Sequence, residues 1–487
     1  MKNGWHLDSL RITFYDGPMF DLKQLIDRKN IGKGAVVIAV CSRDDPVSGQ
    51  HQMSQAHHDL EELSALLDTL GIATLERVVQ QRDQGGGPYV LGRGKMKEVK
   101  ELACELDARL LVYDSRLSGS QIRAIANFSG CQVVDREGVI LEIFSENAAT
   151  SVARLQIEMA RLEYLMPRLV GAWSHLSRQA GGAVQSRGMG EKQVEVDRRI
   201  GRRRMAALKK KLDHIQVETR EQRKKRRDAF KVALVGYTNS GKTTLMQGLT
   251  ESILPGEDQL FATVSAKVKT MNPAKKPHIL FTDTVGFIQR LPHSLIASFQ
   301  ATLAETIDAD LCLHIVDISH PQYASHIATS SKVLAEIGAG DKQVFYVFNK
   351  TDKLEEPEFL RKIIQKQFPD HFWISARCDQ DVTTVSEGIL RYFSTYYSKA
   401  IFWVPHGAQE VISLIYEHCM ISHQCYQNEN LAKFEVTARP SSLKKIEKHL
   451  KELGGDAELL IENPPAKTGT LNQLSTASGA KNRIYIL

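Results

Sequence analysis

From Gly34 to Asp135, short apolar runs alternate with stretches of helical spacing, and this predicts a small α/β domain. The expected strands are Ala35–Cys41, Arg109–Tyr113 and Cys131–Val134, because each run is brief and rich in Val, Ile or Leu. Helices are expected over Ala56–Leu70, Lys95–Leu106 and Ser120–Phe128. The Gly85-Gly86-Gly87-Pro88 break reads as a loop from its turn chemistry. Near Thr150 the period changes. Val152, Leu155, Met159, Leu162, Met166, Leu169, Trp173 and Leu176 follow at steps of three and four, one apolar stripe along a helix that Pro167 can kink. Such a stripe needs a partner, and Met205, Leu208, Leu212 and Ile215 repeat the stepping in a second helical stretch from Glu191. Glycines from Gly181 to Gly190 separate the two, so the pattern predicts an antiparallel helical hairpin with a long tip.

Strands and helices alternate again from Phe230 to about Ser398. After Ile401 a small α+β unit is expected, with strands near Ile401–Val404 and Lys433–Thr437 and helices near Ala408–Tyr416 and Ser441–Leu453. From Gly454 onward Gly, Ala, Ser, Thr, Asn and Pro dominate, as in a mobile tail. The fold class is therefore α/β in five pieces: an N-terminal α/β domain (1–148), a basic helical hairpin (149–228), a nucleotide-binding α/β domain (229–398), a small α+β C-terminal domain (399–453) and a tail (454–487).

Composition narrows this little. Of the 487 residues, 42% are apolar and 25% charged, which excludes collagen-like, low-complexity and wholly disordered chains. No apolar run approaches eighteen residues, and Met1 to Leu10 lacks the order of a secretory signal, so neither a membrane span nor Sec export is expected. The seven scattered cysteines fit reduced thiols and a cytoplasmic location, with an organelle matrix as the alternative. His418, Cys419, His423 and Cys425 match no standard zinc spacing. Charge changes the picture more. Arg198–Arg227 holds 14 Lys/Arg against 3 Asp/Glu, a local balance of +11 in a chain of net charge +6. All the excess positive charge lies in this one segment, the footprint of a nucleic-acid contact. Arg198, Arg199, Arg202, Arg203, Lys209, Lys210, Lys211, Arg223, Lys224 and Arg226 are the candidate RNA-binding residues. A solvated helix face is the alternative reading.

The chemistry is densest after Val232–Val235, a buried-strand pattern that runs straight into Gly236-Tyr237-Thr238-Asn239-Ser240-Gly241-Lys242-Thr243-Thr244 and an apolar helix. Strand, glycine-rich loop and helix in that order form a phosphate cradle. Backbone N–H groups wrap the phosphates, Lys242 reaches the β and γ oxygens, and the Thr243 hydroxyl ligates magnesium. Ile279–Asp283 is a strand ending in an acid able to hold the metal through water, and Thr284, Val285 and Gly286 follow. The Gly286 N–H is placed to meet the γ-phosphate. Val344–Phe348 ends in Asn349-Lys350-Thr351-Asp352, whose carboxylate pairs with the N1–H and 2-amino donors of guanine, a pair adenine lacks. Ser375, Ala376 and Arg377 follow another strand and close over the base. These elements together predict GTP binding. At the place where many GTPases carry a water-orienting glutamine stands Phe287, which has no group to orient water. Hydrolysis is expected to be slow alone or completed by an external group.

These residues make the chain similar to the HflX family of ribosome-associated GTPases from about Gly34 to Ser398. The likeness is carried by Leu91-Gly92-Arg93-Gly94-Lys95, Ser120-Gln121-Ile122-Arg123, Leu176-Ser177-Arg178-Gln179, Gly190-Glu191-Lys192-Gln193, Asp197-Arg198-Arg199, Leu260-Phe261-Ala262-Thr263 and Asp283-Thr284-Val285-Gly286-Phe287-Ile288. The resemblance implies a chain that is monomeric off the ribosome, binds the large ribosomal subunit and its rRNA, and dissociates stalled or idle ribosomes. It places Phe261, Ala262, Thr263 and Val264 in a switch, with Thr263 as second magnesium ligand. Asn239 falls where potassium-dependent relatives hold a K+ ion, a plain loop asparagine being the alternative. Lys242, Thr263, Gly286 and Asn239 are the expected catalytic group. Ser265-Ala266 stands in place of the usual Asp-Pro, Met189 in place of a proline and Val196 in place of a threonine. Two other functions stay open: a GTPase checkpoint in large-subunit assembly, and an RNA-binding module with a low-turnover GTP switch.

Overall fold

A computed structural model describes residues 25–42, 49–82, 87–169, 198–215, 229–250, 261, 267–271, 278–290, 305–428 and 431–460. The chain divides into two compact units. The first comprises residues 1–217 with two short insertions, 259–264 and 290–299; the second holds the rest.

In the first unit, β1 (Ala35–Ser42), β2 (Thr74–Arg82), β3 (Leu110–Tyr113) and β4 (Gln132–Asp135) form a parallel sheet in the order β2-β1-β3-β4. Helices α1 (Gly49–Thr69), α2 (Arg93–Glu105) and α3 (Gly119–Ser129) connect them. Ser118 and Gln121 bond reciprocally at the start of α3, a capping box worth about 1 kcal/mol, and Gly130 ends it in the left-handed conformation. The sequence pattern missed β2, whose Thr-Leu-Glu-Arg opening carries too much charge to read as a strand. It also missed α4 (Arg136–Asn147), which is buried almost all round and so shows no amphipathic stripe.

The expected hairpin is present in its two described arms, α5 (Ser151–Leu169) and a helix α6 over residues 198–215. The arms approach at one point so closely that a Cβ on Gly201 would lie 2.4 Å from Met166 Sδ, and Arg204 pairs with Glu158 at 2.7 Å. Leu208 and Leu212 are buried. The predicted stripe is only one of two packed faces. Val152, Leu155, Met159 and Met166 are half-buried, whereas Ala153, Ile157, Ala160, Tyr164 and Leu165 are fully buried along the neighbouring face. That second face mixes Ile157 and Leu165 with small and polar residues such as Ala153, Ala160, Gln156 and Arg161, so a search for a continuous stripe of large apolar ones passes over it. At its end Asp135, fully buried, accepts hydrogen bonds from the N–H groups of Leu117 and Gly138, the Tyr164 hydroxyl and Arg168 (2.7–3.0 Å). The Arg168 guanidinium lies 3.5 Å over the Tyr164 ring. A buried carboxylate so fully partnered holds α5 against β4, and deleting one partner of such a set costs about 3–5 kcal/mol.

In the second unit, β5 (Phe230–Gly236), α7 (Lys242–Thr250), β6 (Lys267–Thr270), β7 (Ile279–Asp283), β8 (Leu311–Asp317), α8 (Tyr323–Glu336), β9 (Val344–Asn349), α9 (Pro357–Gln367), β10 (His371–Trp373) and α10 (Asp379–Ser394) follow in order. The sheet order is β10-β9-β8-β5-β7-β6, parallel except for β6. A core of Val232, Leu234, Leu313, Ile315, Phe345 and Ile389 covers one face. Burying a ring such as Phe345 contributes roughly 2–3 kcal/mol. The strand order reverses beside β5, and the carboxyl ends of β5, β7, β8 and β9 meet there, where open α/β sheets place their ligands.

The same unit continues into β11 (Ser398–Pro405), α11 (Gln409–His418), β12 (Met420–Asn428), β13 (Leu431–Ala438), α12 (Pro440–Glu452) and β14 (Asp456–Leu460), an antiparallel sheet in the order β12-β13-β11-β14. This is the split β-α-β arrangement. The expected α+β region is there, but its boundary at 453 is too early, because β14 pairs Lys399–Trp403 with residues 456–460. Glycines at 454 and 455 made the segment read as tail, when Gly454 is the left-handed turn into an edge strand. Arg439, at the start of α12, lies 3.7 Å over the Phe230 ring and joins this sheet to the foot of β5. Among the described residues no helix is long and apolar enough to cross a membrane, and none of the His, Cys, Asp and Glu groups could hold a metal by themselves.

Candidate functional site

The loop between β5 and α7 runs from Gly236 to Gly241, with Gly236, Asn239 and Gly241 at positive φ (145°, 57° and 93°). Gly241 admits no side chain: a Cβ there would lie 2.1 Å from Asn349 Nδ2. The left-handed backbone gives Asn239 a conformational reason of its own, since asparagine tolerates that region better than most residues. Lys242 is buried, and its ε-amine donates to the carbonyl oxygens of Tyr237 (2.7 Å) and Gly236 (3.2 Å). Its pKa is lowered to about 8 in all: burial lowers it most, Asp283 opposes this, and Lys350 adds a smaller lowering.

Thr243 Oγ1 donates to Asp283 Oδ2 at 2.8 Å, so a hydroxyl and a fully buried carboxylate at the ends of two neighbouring elements face one point. Two hard oxygen donors beside a phosphate loop fit magnesium. After Asp283 the Thr284 hydroxyl is tied to Leu234 O (2.7 Å). Phe287 turns inward and is 2% exposed, and its backbone pairs with the loop: Phe287 N–H to Gly236 O (3.0 Å) and Thr238 N–H to Phe287 O (2.8 Å).

Asn349, at the end of β9, holds two distant segments together. Its amide donates to Ser240 O, its oxygen accepts from Ala376 N–H, and both bonds are 2.8 Å. Lys350 takes a left-handed turn and pairs with Asp317 at 2.7 Å. Asp352 and Ser375 meet, and the Ser375 hydroxyl holds the Asp352 carboxyl below its usual range. The Ser375 N–H is bound by Asp381 from the first turn of α10 (2.8 Å).

The structure therefore brings together Gly236–Thr243, Asp283–Phe287, Asn349–Asp352 and Ser375–Arg377. Ala262, Thr263 and Val264 lie outside the described residues, as do Arg223, Lys224 and Arg226 and the hairpin tip with Met189 and Val196. Phe261 belongs to the first unit, where its ring packs on Phe144 (4.6 Å) and its carbonyl accepts from Asn147. Of the basic set, Arg199, Arg202, Arg203, Lys209, Lys210 and Lys211 are exposed on α6, and Arg198, at the start of the same helix, is half-buried. Sequence reasoning missed Asp317 and Asp381. An acid at the carboxyl end of a parallel strand was the available signal for Asp317, the same one that marked Asp283. Nothing local distinguishes Asp381.

Three family descriptions match the chain: GTP-binding GTPase N-terminal over residues 57–145, GTP-binding GTPase Middle Region over 147–226, and 50S ribosome-binding GTPase over 231–350. The GTPase HflX of Gluconacetobacter diazotrophicus is 37% identical over 427 residues, covering 80% of this chain and 93% of the relative. GTPase HflX of Escherichia coli K12 is 32% identical over 414 residues, covering 85% and 95%. A solved GTP-binding protein from Sulfolobus solfataricus, in complex with GDP, aligns over 73% of this chain and 99% of its own with 20% identity and a TM-score of 0.40. With relatives this similar over nearly their whole length, the chain belongs to the HflX family of GTPases.

Proposed function

We propose that this GTPase binds the large ribosomal subunit through the basic arm and uses GTP binding and hydrolysis to separate stalled or idle ribosomes into subunits. The observation that carries the ribosomal part is the exposed row Arg202, Arg203, Lys209, Lys210 and Lys211 on α6, in a chain whose nucleotide domain matches the description 50S ribosome-binding GTPase. Those side chains meet rRNA phosphates and supply affinity without reading sequence. The protein acts in the cytoplasm, as a monomer when off the ribosome.

In the nucleotide site, N–H groups of residues 239–244 and the Lys242 ammonium hold the β- and γ-phosphates. Asp352 selects guanine, with Asn349, Lys350 and Ser375–Arg377 shaping the base site. Thr243 would hold magnesium directly, Asp283 through water and Thr263 as a further ligand, and the ion would supply positive charge to the phosphate oxygens. Water attacks the γ-phosphorus, the bond to the bridging oxygen breaks, and the electron pair leaves with the β-phosphate of GDP. Lys242 and the Gly286 N–H stabilise the negative charge during transfer. Phe287 orders no water, so the missing group comes from the ribosome or from a K+ ion beside Asn239.

Intact ribosomes incubated with the protein and GTP, then resolved on a sucrose gradient, are expected to shift into subunits. Ribosomes that stay intact while large subunits bind the protein would instead indicate an assembly checkpoint. Binding without turnover, with or without ribosomes, would indicate an RNA-binding module with a GTP switch.

A further inference from the structure

The phosphate cradle uses backbone N–H groups, so the Tyr237 side chain has no part in holding phosphate. It is nevertheless 6% exposed and fixed on three sides. Its ring lies flat on the His326 imidazole of α8, with centroids 3.7 Å apart and planes 6° from parallel. Its hydroxyl accepts the backbone N–H of Gln289 at 2.8 Å. Its own loop pairs with Phe287 through the two backbone bonds described above, and Gln289 Nε2 reaches Ser325 Oγ on α8 at 3.4 Å. Residues 236–238 and 287–289 are thus joined by three hydrogen bonds, and only one of them comes from a side chain. Gly286, whose N–H faces the γ-phosphate in the proposed reaction, immediately precedes the joined segment.

Packing alone does not account for a tyrosine here. A phenylalanine would stack on His326 as well and fill the same space; only the hydroxyl takes the Gln289 N–H. Burial, with His320 adding to it, lowers the His326 pKa to about 4, so the stacking partner is a neutral ring near pH 7. Burial of the Tyr237 hydroxyl between loop, α8 and the segment after β7 makes its hydrogen bond to Gln289 a fixed one.

We propose that Tyr237 is a positioning residue for GTP hydrolysis: its hydroxyl, through the Gln289 N–H, holds residues 286–289 in register with the phosphate loop. This rests on the GTPase reading of the site. The bond restrains the segment that carries the Gly286 N–H and so keeps that donor aimed before the transition state forms, which is how a pre-organised donor accelerates a reaction. It touches neither guanine nor the phosphates, and its loss leaves GDP binding in place.

The test uses the full chain, without ribosomes, as wild type and Tyr237→Phe. For Tyr237→Phe, GDP affinity and the KM for GTP are expected to stay within about twofold and kcat to fall about 3- to 10-fold, near the effect of one hydrogen bond between neutral groups. A merely structural tyrosine would move binding and thermal midpoint together and leave no isolated loss in kcat. An unchanged or raised kcat in Tyr237→Phe overturns the proposal. Hydrogen exchange of the wild-type peptide spanning 286–290 is a second measurement that needs no variant: the Gln289 amide is expected to be protected in the nucleotide-free chain, and free exchange there also overturns the proposal. A wild-type chain that turned over no GTP, with potassium and with large ribosomal subunits as well as without them, would instead remove the GTPase reading, and this proposal with it.

Discussion

Lys242 is where the sequence motif and the physical setting disagree in an instructive way. A phosphate-binding lysine has to be charged, yet without nucleotide its burial lowers the pKa from its ordinary 10.5 to about 8. The unfolded chain keeps the proton up to the higher value, so for this group the nucleotide-free fold gains stability as pH rises from about 8 to 10.5. Phosphate reverses the preference by supplying the counter-charge. GTP or GDP binding is therefore expected to take up a proton above about pH 8 and to weaken as pH rises further, with no uptake below pH 7. Calorimetry in two buffers of different ionisation heat measures the uptake; equal apparent heats at pH 9 would contradict it. Lys242→Ala is expected to abolish binding or turnover. At the base, Asp352→Asn is expected to weaken GTP and to admit xanthosine triphosphate, because the amide donates to the added carbonyl where the carboxylate cannot. A competition assay in which GTP keeps its original margin would remove Asp352 from the base site.

At the scale of elements, α5 and α6 show why an apolar stripe identifies a helix without identifying its neighbours. The stripe from Val152 to Leu176, of which Trp173 and Leu176 lie outside the described residues, marked the contact with α6 at Met166, while the face that packs on the N-terminal sheet and its helices is built from Ala153, Ala160, Tyr164 and the Asp135–Arg168 pair. Charge on the outer side of α6 is separable from both faces, since Lys209, Lys210 and Lys211 are exposed. Replacing Arg202, Arg203, Lys209, Lys210 and Lys211 with glutamine is expected to lower ribosome affinity and leave ribosome-free hydrolysis unchanged. The slope of log affinity against log salt should become shallower by up to about 0.9 for each phosphate that the variant no longer neutralises. An unchanged affinity and slope would return these residues to a solvated helix face.

For the molecule as a whole, the open question of catalysis is who orients the attacking water. Phe287 is inside the core, and no glutamine placed there would be aimed by its surroundings, so Phe287→Gln is not expected to restore fast turnover. If a potassium ion beside Asn239 supplies the missing charge, exchanging it for sodium slows the free protein, and Asn239→Ala removes the difference between the ions. If the large subunit supplies the group, turnover rises by orders of magnitude on adding it, each tenfold being about 1.4 kcal/mol of barrier. The Asn239→Ala variant then keeps most of that gain. Turnover that responds to neither ion nor subunit would show that the water-orienting group lies within the chain.

The sequence alone was enough to mark the chain as a GTPase, because that reading depends on residue types at fixed short spacings: Gly236 to Thr243 in the loop, Asp283 with Gly286, Asn349 with Asp352. It also determined the hairpin and the segregation of positive charge, since both are periodicities or counts along the chain. What it left undecided are features whose partners lie far apart in sequence. The amide of Asn349 joins Ser240 to Ala376 across more than a hundred residues, and Asp381 reaches back to Ser375 only because α10 begins beside it. The strands β2 and β14 exist because a neighbour pairs with them rather than because their own residues demand it. Tyr237 is a loop residue by motif. Its place between His326 and Gln289 follows from how α8 and the segment after β7 pack around the loop, and only the folded chain brings those three together.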